Sequence, residues 1–309
     1  MSLPIPHHRR HFLLGAAGLA AAQTAAATST WEVGLRGGRI VVTLAAGKLS
    51  FDEIAIREWV RQAAEAVELF YGRFPVEIVH LRIRPVPERR GVFGGVTFGT
   101  HPPSIRVSVG ENTRQAQLDH DWVLTHEMVH LAFPSLPRRH HWLEEGLATY
   151  VEPLARLQAG RLEPARHWRE FTRDLAQGLP GAGDLGLDHT PTWARTYWGG
   201  ALFCFWSDLT LREQTGNRHG LQSSLRAVVN AGGTVEEEWP LMRALRIADA
   251  STNHSVLVDL YNGWKSTPVT PDLTQTWKRL GVILRNGTVE FDDTAPLAEL
   301  RGAMLRQLE

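Results

Sequence analysis

The segment that most restricts how this chain folds runs from Thr125 to His130 and contains the pattern His-Glu-x-x-His. In a helix, residues four positions apart lie on one face, so His126 and His130 would point their imidazoles at a single ion. Glu127 lies beside that face, where its carboxylate would contact a water on the ion without binding the ion itself. The segment therefore predicts a zinc-binding helix that carries its own candidate general base.

A second segment supplies a third candidate ligand. Glu145 follows His130 by fifteen positions (145 − 130) and lies near the start of an apolar run that begins at Trp142. Pro134 and Pro137 interrupt the chain between the two segments, which allows a second helix to fold back on the first. Two histidines, one carboxylate and an open position for water are typical of a catalytic zinc site rather than a structural one. We therefore expect one Zn²⁺ per chain.

Together the two segments, His-Glu-x-x-His and Trp-Leu-x-Glu-Gly-x-Ala, resemble the gluzincin metallopeptidases. This group includes thermolysin-like enzymes, the alanyl and glycyl aminopeptidases and short bacterial peptidase-MA-like domains. The resemblance implies that His126, His130 and Glu145 bind the metal and that Glu127 is the general base. Glu144 falls on a variable position of the motif.

A further resemblance lies in the segment Tyr197 to Gly200, which is similar to the Tyr-x-x-Gly segment of aminopeptidase-type gluzincins. The stretch 208–212 is closest to glycyl aminopeptidases. In those families the tyrosine hydrogen-bonds the oxyanion of the tetrahedral intermediate, so the resemblance implies the same role for Tyr197. His189 and Arg195 flank the segment and are alternative oxyanion donors. A tyrosine packed at the start of a buried helix is the other interpretation.

One segment departs from the aminopeptidase pattern. Those enzymes carry an acidic residue on the strand before the zinc helix, where it helps to hold the free amine of the substrate. The corresponding segment here, Gly94 to Gly99, contains no acid. Its backbone retains the ability to pair with an extended peptide. The resemblance therefore implies peptide hydrolysis without specifying aminopeptidase activity.

The N-terminus has the pattern of an export sequence. Arg9 and Arg10 precede an apolar run of small residues from Gly15 to Ala22, and further alanines end at Ala27. We expect residues 1–27 to be a cleaved signal peptide, because the apolar run is too short to span a membrane. The Arg-Arg-x-Phe-Leu pattern resembles a twin-arginine signal, with a general secretory signal as the alternative. The expected location is periplasmic or secreted, without stable membrane insertion after cleavage.

Composition narrows the class of protein. The 309 residues are 43% hydrophobic and 21% charged, which excludes global disorder. Lys and Arg number 33, as do Asp and Glu, so the charge balance gives no support for a nucleic-acid partner. Cys204 is the one cysteine, which excludes an intramolecular disulfide and predicts a small core residue. The chain therefore matches an exported globular enzyme.

Hydrophobic periodicity predicts an α+β fold: a small, mostly antiparallel sheet packed on a helical half, with the zinc cleft between them. The resemblance to gluzincins implies that this helical half is a thermolysin-like catalytic part. The expected sub-domains are an N-terminal α/β part at 28–110, a helical zinc part at 111–270, and a C-terminal hairpin and helix at 271–309. The expected elements are a hairpin at 31–44, a helix at 51–71, strands at 76–83, 91–99 and 104–109, the zinc helix at 112–133, helices at 142–158, 164–177, 194–214, 218–230 and 254–264, a hairpin at 281–291 and a final helix from Pro296.

The sequence therefore predicts an exported zinc metallopeptidase that hydrolyses a peptide or protein substrate. Two alternatives use the same scaffold. One is a zinc hydrolase acting on a substrate other than a peptide. The other is a catalytically retired peptide-binding module that keeps its metal, although the intact Glu127 argues against this, because a binding module needs no general base.

Overall fold

The computed structural model describes residues 27–306. The expected signal peptide, residues 1–27, lies outside this range apart from Ala27. Five strands form the main sheet and two more form a C-terminal hairpin. Their bounds are β1 (Ala27–Leu35), β2 (Gly38–Ala45), β3 (Ile78–Val86), β4 (Val92–Phe98), β5 (Ser104–Gly110), β6 (Val282–Arg285) and β7 (Thr288–Phe291).

The main sheet has the order β1-β2-β3-β5-β4, so β4 lies at its edge. Its two outer pairings, β1 with β2 and β4 with β5, are antiparallel. Its two inner pairings, β2 with β3 and β3 with β5, are parallel. The α+β class is confirmed, but the sheet is mixed rather than mostly antiparallel. The long helix between β2 and β3 makes their pairing parallel, because a crossover helix returns the chain in the same direction. Strands β3 and β5 are parallel because β4, which lies between them in sequence, pairs on the outer side of β5.

That crossover helix, α1 (Glu53–Tyr71), covers one face of the sheet. The Asp52 side chain caps its N-terminus by accepting from the Ala55 amide at 2.9 Å, and Gly72 ends it in the left-handed conformation. Its buried residues recur at helical spacing, from Ile56 to Phe70. The helix is amphipathic, as the sequence predicts, and it buries its apolar face.

The helix that carries His126 is shorter than expected. Two helices, α2 (Gln115–Asp119) and α3 (Val123–His130), replace the predicted helix at 112–133. Asp121 separates them, because its carboxylate accepts from the Val123 and Leu124 amides at 3.0 and 3.1 Å. The Trp59 indole holds the same carboxylate at 3.0 Å. Asp121 therefore caps a new helix instead of lying inside a continuous one.

The rest of the chain is mostly helical, as expected. The later helices are α4 (His141–Gln158), α5 (Pro164–Asp174), α6 (Gly200–Thr215), α7 (Leu221–Asn230), α8 (Leu241–Thr252), α9 (Val256–Trp264), α10 (Leu273–Leu280) and α11 (Ala298–Met304). The sequence prediction missed α8 and α10. Both carry the helical pattern, since Leu241, Ala244, Leu245 and Ala248 are buried on one face of α8, and Asp272 caps α10.

One hydrophobic cluster connects the sheet with the helices, and α4 runs through it. Cys204 is buried in this cluster, and burial raises the pKa of its thiol, which confirms it as a core residue rather than a nucleophile. Among the helices between residues 27 and 306, none combines the length and the apolar character that crossing a bilayer requires. The helices and the sheet contribute to this same core.

Candidate metal centre

The structure brings His126, His130 and Glu145 together. Their candidate ligand atoms all lie within 4.8 Å of one another. The Nε2 atoms of His126 and His130 are 3.4 and 3.5 Å from Glu145 Oε2. Two ligand atoms about 2.1 Å from a tetrahedral zinc ion lie roughly 3.4 Å apart, so these separations match a shared ion. The three side chains fit zinc in both chemistry and spacing.

Two helices present these ligands. His126 and His130 lie one turn apart on α3, and Glu145 lies in the second turn of α4, which folds back along α3. Burial opposes the charged form of Glu145, but the neighbouring His130 and His126 outweigh burial and hold the pKa of this carboxyl well below its usual range. The carboxylate is therefore ionised, as a metal ligand must be.

The structure separates the roles of the two adjacent acids. Glu144 points to the connecting loop, where it accepts from the Leu136 amide at 3.2 Å. His141 lies between the acids, with Nδ1 2.9 Å from Glu144 and Nε2 3.1 Å from Glu145 Oε1. Burial opposes a charge on His141, but the hydrogen bonds to Glu144 and Glu145 outweigh it and raise its pKa to about 9. Glu144 therefore shapes the loop, and His141 orients Glu145 from behind.

Glu127 is buried, with 7% of its surface exposed, and it faces the edge strand β4. The hydroxyl of Thr97 lies 2.7 Å from Glu127 Oε2 and 2.8 Å from the Glu127 carbonyl oxygen. Gly95, two positions earlier on the same face of β4, leaves the space that the Glu127 side chain occupies. The candidate base therefore has a defined position between α3 and β4.

Tyr197 lies beside the candidate metal ligands. A π-helical turn, Arg195–Gly199, precedes α6 and presents the Tyr197 ring. This ring stacks 6.5 Å from the His126 ring and 5.7 Å from the Trp193 ring. The Trp122 ring, on a residue that is 38% exposed, lies edge-on to His126 at 5.6 Å between ring centroids. An aromatic run therefore borders the metal ligands, and Tyr197 belongs to it rather than to the core.

A contact between two glycines joins the two helical motifs. A Cβ on Gly146 would lie 2.2 Å from Gly200 Cα, and a Cβ on Gly200 would lie 2.0 Å from the Trp142 carbonyl oxygen. The backbones of α4 and α6 therefore touch where Glu145 is followed by glycine and where the Tyr197 segment ends. This contact sets the position of Tyr197 relative to Glu145.

The two alternative oxyanion donors have other partners. Arg195 is buried and pairs with Asp184 at 2.7 Å, and it also donates to the Gly178 carbonyl. His189 is exposed, and its Nε2 atom lies 3.3 Å from the Ser266 hydroxyl. Arg195 therefore holds the π-helical turn in place, and of the three candidate oxyanion donors Tyr197 is the one that the structure brings beside His126.

Sequence reasoning missed Thr97 and the contact of His141 with Glu145. A lone threonine on a strand carries no motif, and its link to Glu127 spans thirty positions. The sequence did contain one signal, because the glycine pair Gly94-Gly95 inside a predicted strand is typical of a bulge or a close backbone approach. In the structure this pair forms a bulge that packs against α3. His141 had the i,i+4 spacing to Glu145 that predicts a contact on a helix.

No family model and no curated protein matches the chain. Solved structures do match it. An aminopeptidase N family protein from Idiomarina loihiensis superposes with a TM-score of 0.60 and 15% identity, over 83% of this chain and 50% of that one. An M1 zinc metallopeptidase from Deinococcus radiodurans gives a TM-score of 0.52 and 18% identity, over 79% and 53% of the two chains.

The chain therefore has the fold of M1 zinc metallopeptidase structures. It spans about half the length of these neighbours. A mutant of the Deinococcus enzyme with a bound Tyr-Ser-Ala substrate matches as well, with a TM-score of 0.52 and 15% identity over 79% of this chain and 53% of that one. At these identities the likeness concerns the fold, and the chemistry of this chain rests on its own residues.

Proposed function

We propose that this chain is a zinc-dependent peptidase. The observation that carries the proposal is the spacing of the ligand atoms, since the Nε2 atoms of His126 and His130 lie 3.4 and 3.5 Å from Glu145 Oε2. That spacing matches one tetrahedral ion with three protein ligands, which is the pattern of a catalytic zinc site. The buried carboxylate of Glu127 beside these ligands supports hydrolysis rather than metal storage.

Zinc bound by His126, His130 and Glu145 would supply a water of low pKa and would polarise the scissile carbonyl. Glu127 then accepts a proton from the attacking water and returns it to the leaving amine. The Tyr197 hydroxyl donates to the oxygen on which negative charge develops. The stacked contact of Tyr197 with His126, at 6.5 Å between ring centroids, supports this placement.

The proposed substrate is a peptide in an extended conformation. Strand β4 lies at the edge of the sheet, and Gly95 on this strand packs against Glu127. A peptide that pairs with the free edge of β4 would pass alongside the base and the metal ligands. Strand β4 has no carboxylate, so cleavage does not depend on a free amine held by this strand.

The test is digestion of a broad peptide library by zinc-loaded protein, with every cut position mapped. Glu127→Gln keeps the size and shape of the side chain but removes the base, so zinc content should stay at one per chain while turnover falls by at least about 10²- to 10³-fold. Glu170→Gln, the same change at a surface ion pair with Arg166, is the matched control and should keep full activity.

The outcomes distinguish the alternatives. Metal binding without any cleavage would favour the retired peptide-binding module. Cleavage of ester or other non-peptide substrates alone would favour a different hydrolase on the same scaffold. Substantial peptide cleavage by Glu127→Gln would refute the assigned base.

We also propose that the chain is exported by the twin-arginine route, on the pattern of Arg9 and Arg10 in the sequence. Because that route reads the arginine pair rather than its charge, changing both residues to lysine should leave the precursor in the cytoplasm of a competent host. N-terminal sequencing of exported protein should place the mature start near residue 28. Normal export of the double-lysine variant would indicate the general secretory route instead.

A further inference from the structure

Strand β4 is irregular where it faces the zinc helix. The pairing of β4 with β5 shifts register between Phe93 and Val96, and Gly94 has a φ of +65°. A glycine in the left-handed conformation is typical of a bulge that turns the following side chains. After the bulge, Gly95 and Thr97 lie on one face of the strand, and both contact Glu127.

Gly95 provides the space for Glu127. A Cβ at this position would lie 2.6 Å from both Cγ and Oε1 of Glu127 and 2.8 Å from Val123 Cγ1. These distances are far inside van der Waals contact, so any side chain here would displace the carboxylate. The φ of Gly95 is not among the positive values, so the requirement for glycine is one of space rather than of backbone conformation.

Thr97 provides the hydrogen bond. Its hydroxyl is buried, with 5% of the residue exposed, and it lies 2.7 Å from Glu127 Oε2 and 2.8 Å from the Glu127 carbonyl oxygen. A hydroxyl has one proton and two lone pairs, so it donates to one of these oxygens at a time. Both oxygens belong to the same residue, which ties the carboxylate to its own helix backbone.

We propose that Thr97 is a positioning residue for Glu127 and that it serves the carboxylate both before and after that group takes a proton. This inference rests on the proposed function for the role of Glu127. While Glu127 is a carboxylate, Thr97 donates to Oε2. When Glu127 accepts a proton from the attacking water, that proton goes to Oε1, and Oε2 remains the acceptor of the Thr97 hydroxyl.

The Thr97 hydroxyl therefore keeps the same acceptor before and after the proton transfer, and the carboxyl group does not have to rotate. Oε1, the oxygen that Thr97 does not contact, stays available to exchange the proton with water and leaving group. Holding a catalytic group in one place matters because a misplacement of about 1 Å costs roughly 10²-fold in rate. Thr97 therefore acts on turnover through Glu127 and not through the metal.

The test compares Thr97→Val, which keeps the shape but removes the hydroxyl, with Thr97→Ser, which keeps the hydroxyl. Thr97→Val should lower kcat by about 10- to 100-fold with little change in KM and with zinc still at one per chain. Thr97→Ser should retain most of the activity. Thr215→Val is the matched control, because Thr215 is a buried hydroxyl at the far end of α6 that bonds the Leu211 carbonyl. It should lose stability without losing kcat.

A double-mutant cycle separates positioning from general damage. If Thr97 acts through Glu127, then Thr97→Val should cost almost nothing further in a Glu127→Gln background. Additive losses would overturn the proposal, and so would full activity in Thr97→Val. Gly95→Ala should displace the carboxylate and lower kcat, whereas Gly34→Ala, on β1 with nothing within 4 Å of an added Cβ, should have no effect.

One readout does not depend on activity. Crystal structures of wild-type and Thr97→Val protein, with and without zinc, should show one Glu127 conformation in the wild type and more than one in the variant. A single unchanged conformation in Thr97→Val would overturn the proposal even if the chain proved to be no peptidase. The opposite combination is also informative. If Glu127 is ordered in the wild type and disordered in Thr97→Val, but the protein has no peptidase activity, then the proposed function is refuted and the positioning role of Thr97 stands.

Discussion

Replacing Gly200 by alanine tests the contact that joins the two halves of the site. An added Cβ would lie 2.0 Å from the Trp142 carbonyl oxygen and 2.7 Å from Gly146 Cα. Ordinary contact starts at 3.4 Å, so α4 and α6 must separate by about 1.4 Å. The neighbours are backbone atoms of a buried helix, which have no rotamer change to relieve the contact.

The free energy of unfolding should fall by about 2 kcal/mol. Overpacking of this kind lowers the free energy of unfolding by about 1–3 kcal/mol, and a contact with backbone atoms places this variant towards the upper end. Alanine has a higher helix propensity than glycine, which offsets up to about 1 kcal/mol of that loss. For a chain of this size the melting temperature should then fall by about 3–4 °C. Because Tyr197 and Glu145 adjoin the contact, a shift of about 1 Å should also lower peptide turnover by roughly 10²-fold.

Thermal unfolding of the zinc-loaded protein and steady-state peptide cleavage measure the two effects. Gly263→Ala is the matched control, because Gly263 lies in α9, is exposed and has nothing within 4 Å of an added Cβ. It should raise stability by up to about 1 kcal/mol and leave turnover unchanged. A Gly200→Ala variant that melts and cleaves like the wild type would refute the close backbone contact and its role in placing Tyr197.

Three further predictions concern the site and its pH dependence. Glu145→Ala should lose zinc in a metal-content assay while Glu144→Ala keeps it, and the reverse result would show that the wrong acid was assigned. Tyr197→Phe should lower kcat about a hundredfold with zinc and KM nearly unchanged, and an unchanged kcat would remove Tyr197 from the mechanism. Burial lowers the pKa of His167 to about 4, so the unfolded chain binds more protons than the folded one between about pH 4 and 6.5. The unfolding free energy of zinc-free protein should therefore fall as the pH drops through this window, by at most about 3 kcal/mol at roughly 1.4 kcal/mol per pH unit. Denaturant unfolding across this range should show a weaker dependence in His167→Phe, and an equal dependence would contradict the assignment.

Most of the helices and strands followed from local sequence patterns, although α8 and α10 were missed. The helix α1 was predicted from the spacing of its apolar residues, and the hairpin of β1 and β2 from the turn at Gly37. Both signals depend only on residues that are close in sequence. The zinc helix was misjudged at its N-terminal end, because Asp121 was counted as a helical residue. Its carboxylate instead accepts from the Val123 and Leu124 amides, which starts a new helix. Whether the chain forms one continuous helix or two depends on the buried contact of Asp121 with Trp59, which is distant in sequence.

By itself the sequence determined the types of the candidate ligands and their spacing, since His126, Glu127 and His130 lie within about one helical turn of each other and Glu145 lies in the second turn of the next long helix. Tertiary structure decided what surrounds them. Thr97 hydrogen-bonds Glu127, which is thirty positions away in sequence. Arg195 forms an ion pair with Asp184 and does not contact the candidate metal ligands. Such contacts form only when separate elements pack together, and their energies depend on burial and close approach rather than on local propensity. The motif spacing therefore located the candidate metal ligands, and packing of β4 and α6 against α3 and α4 determined which other side chains reach them.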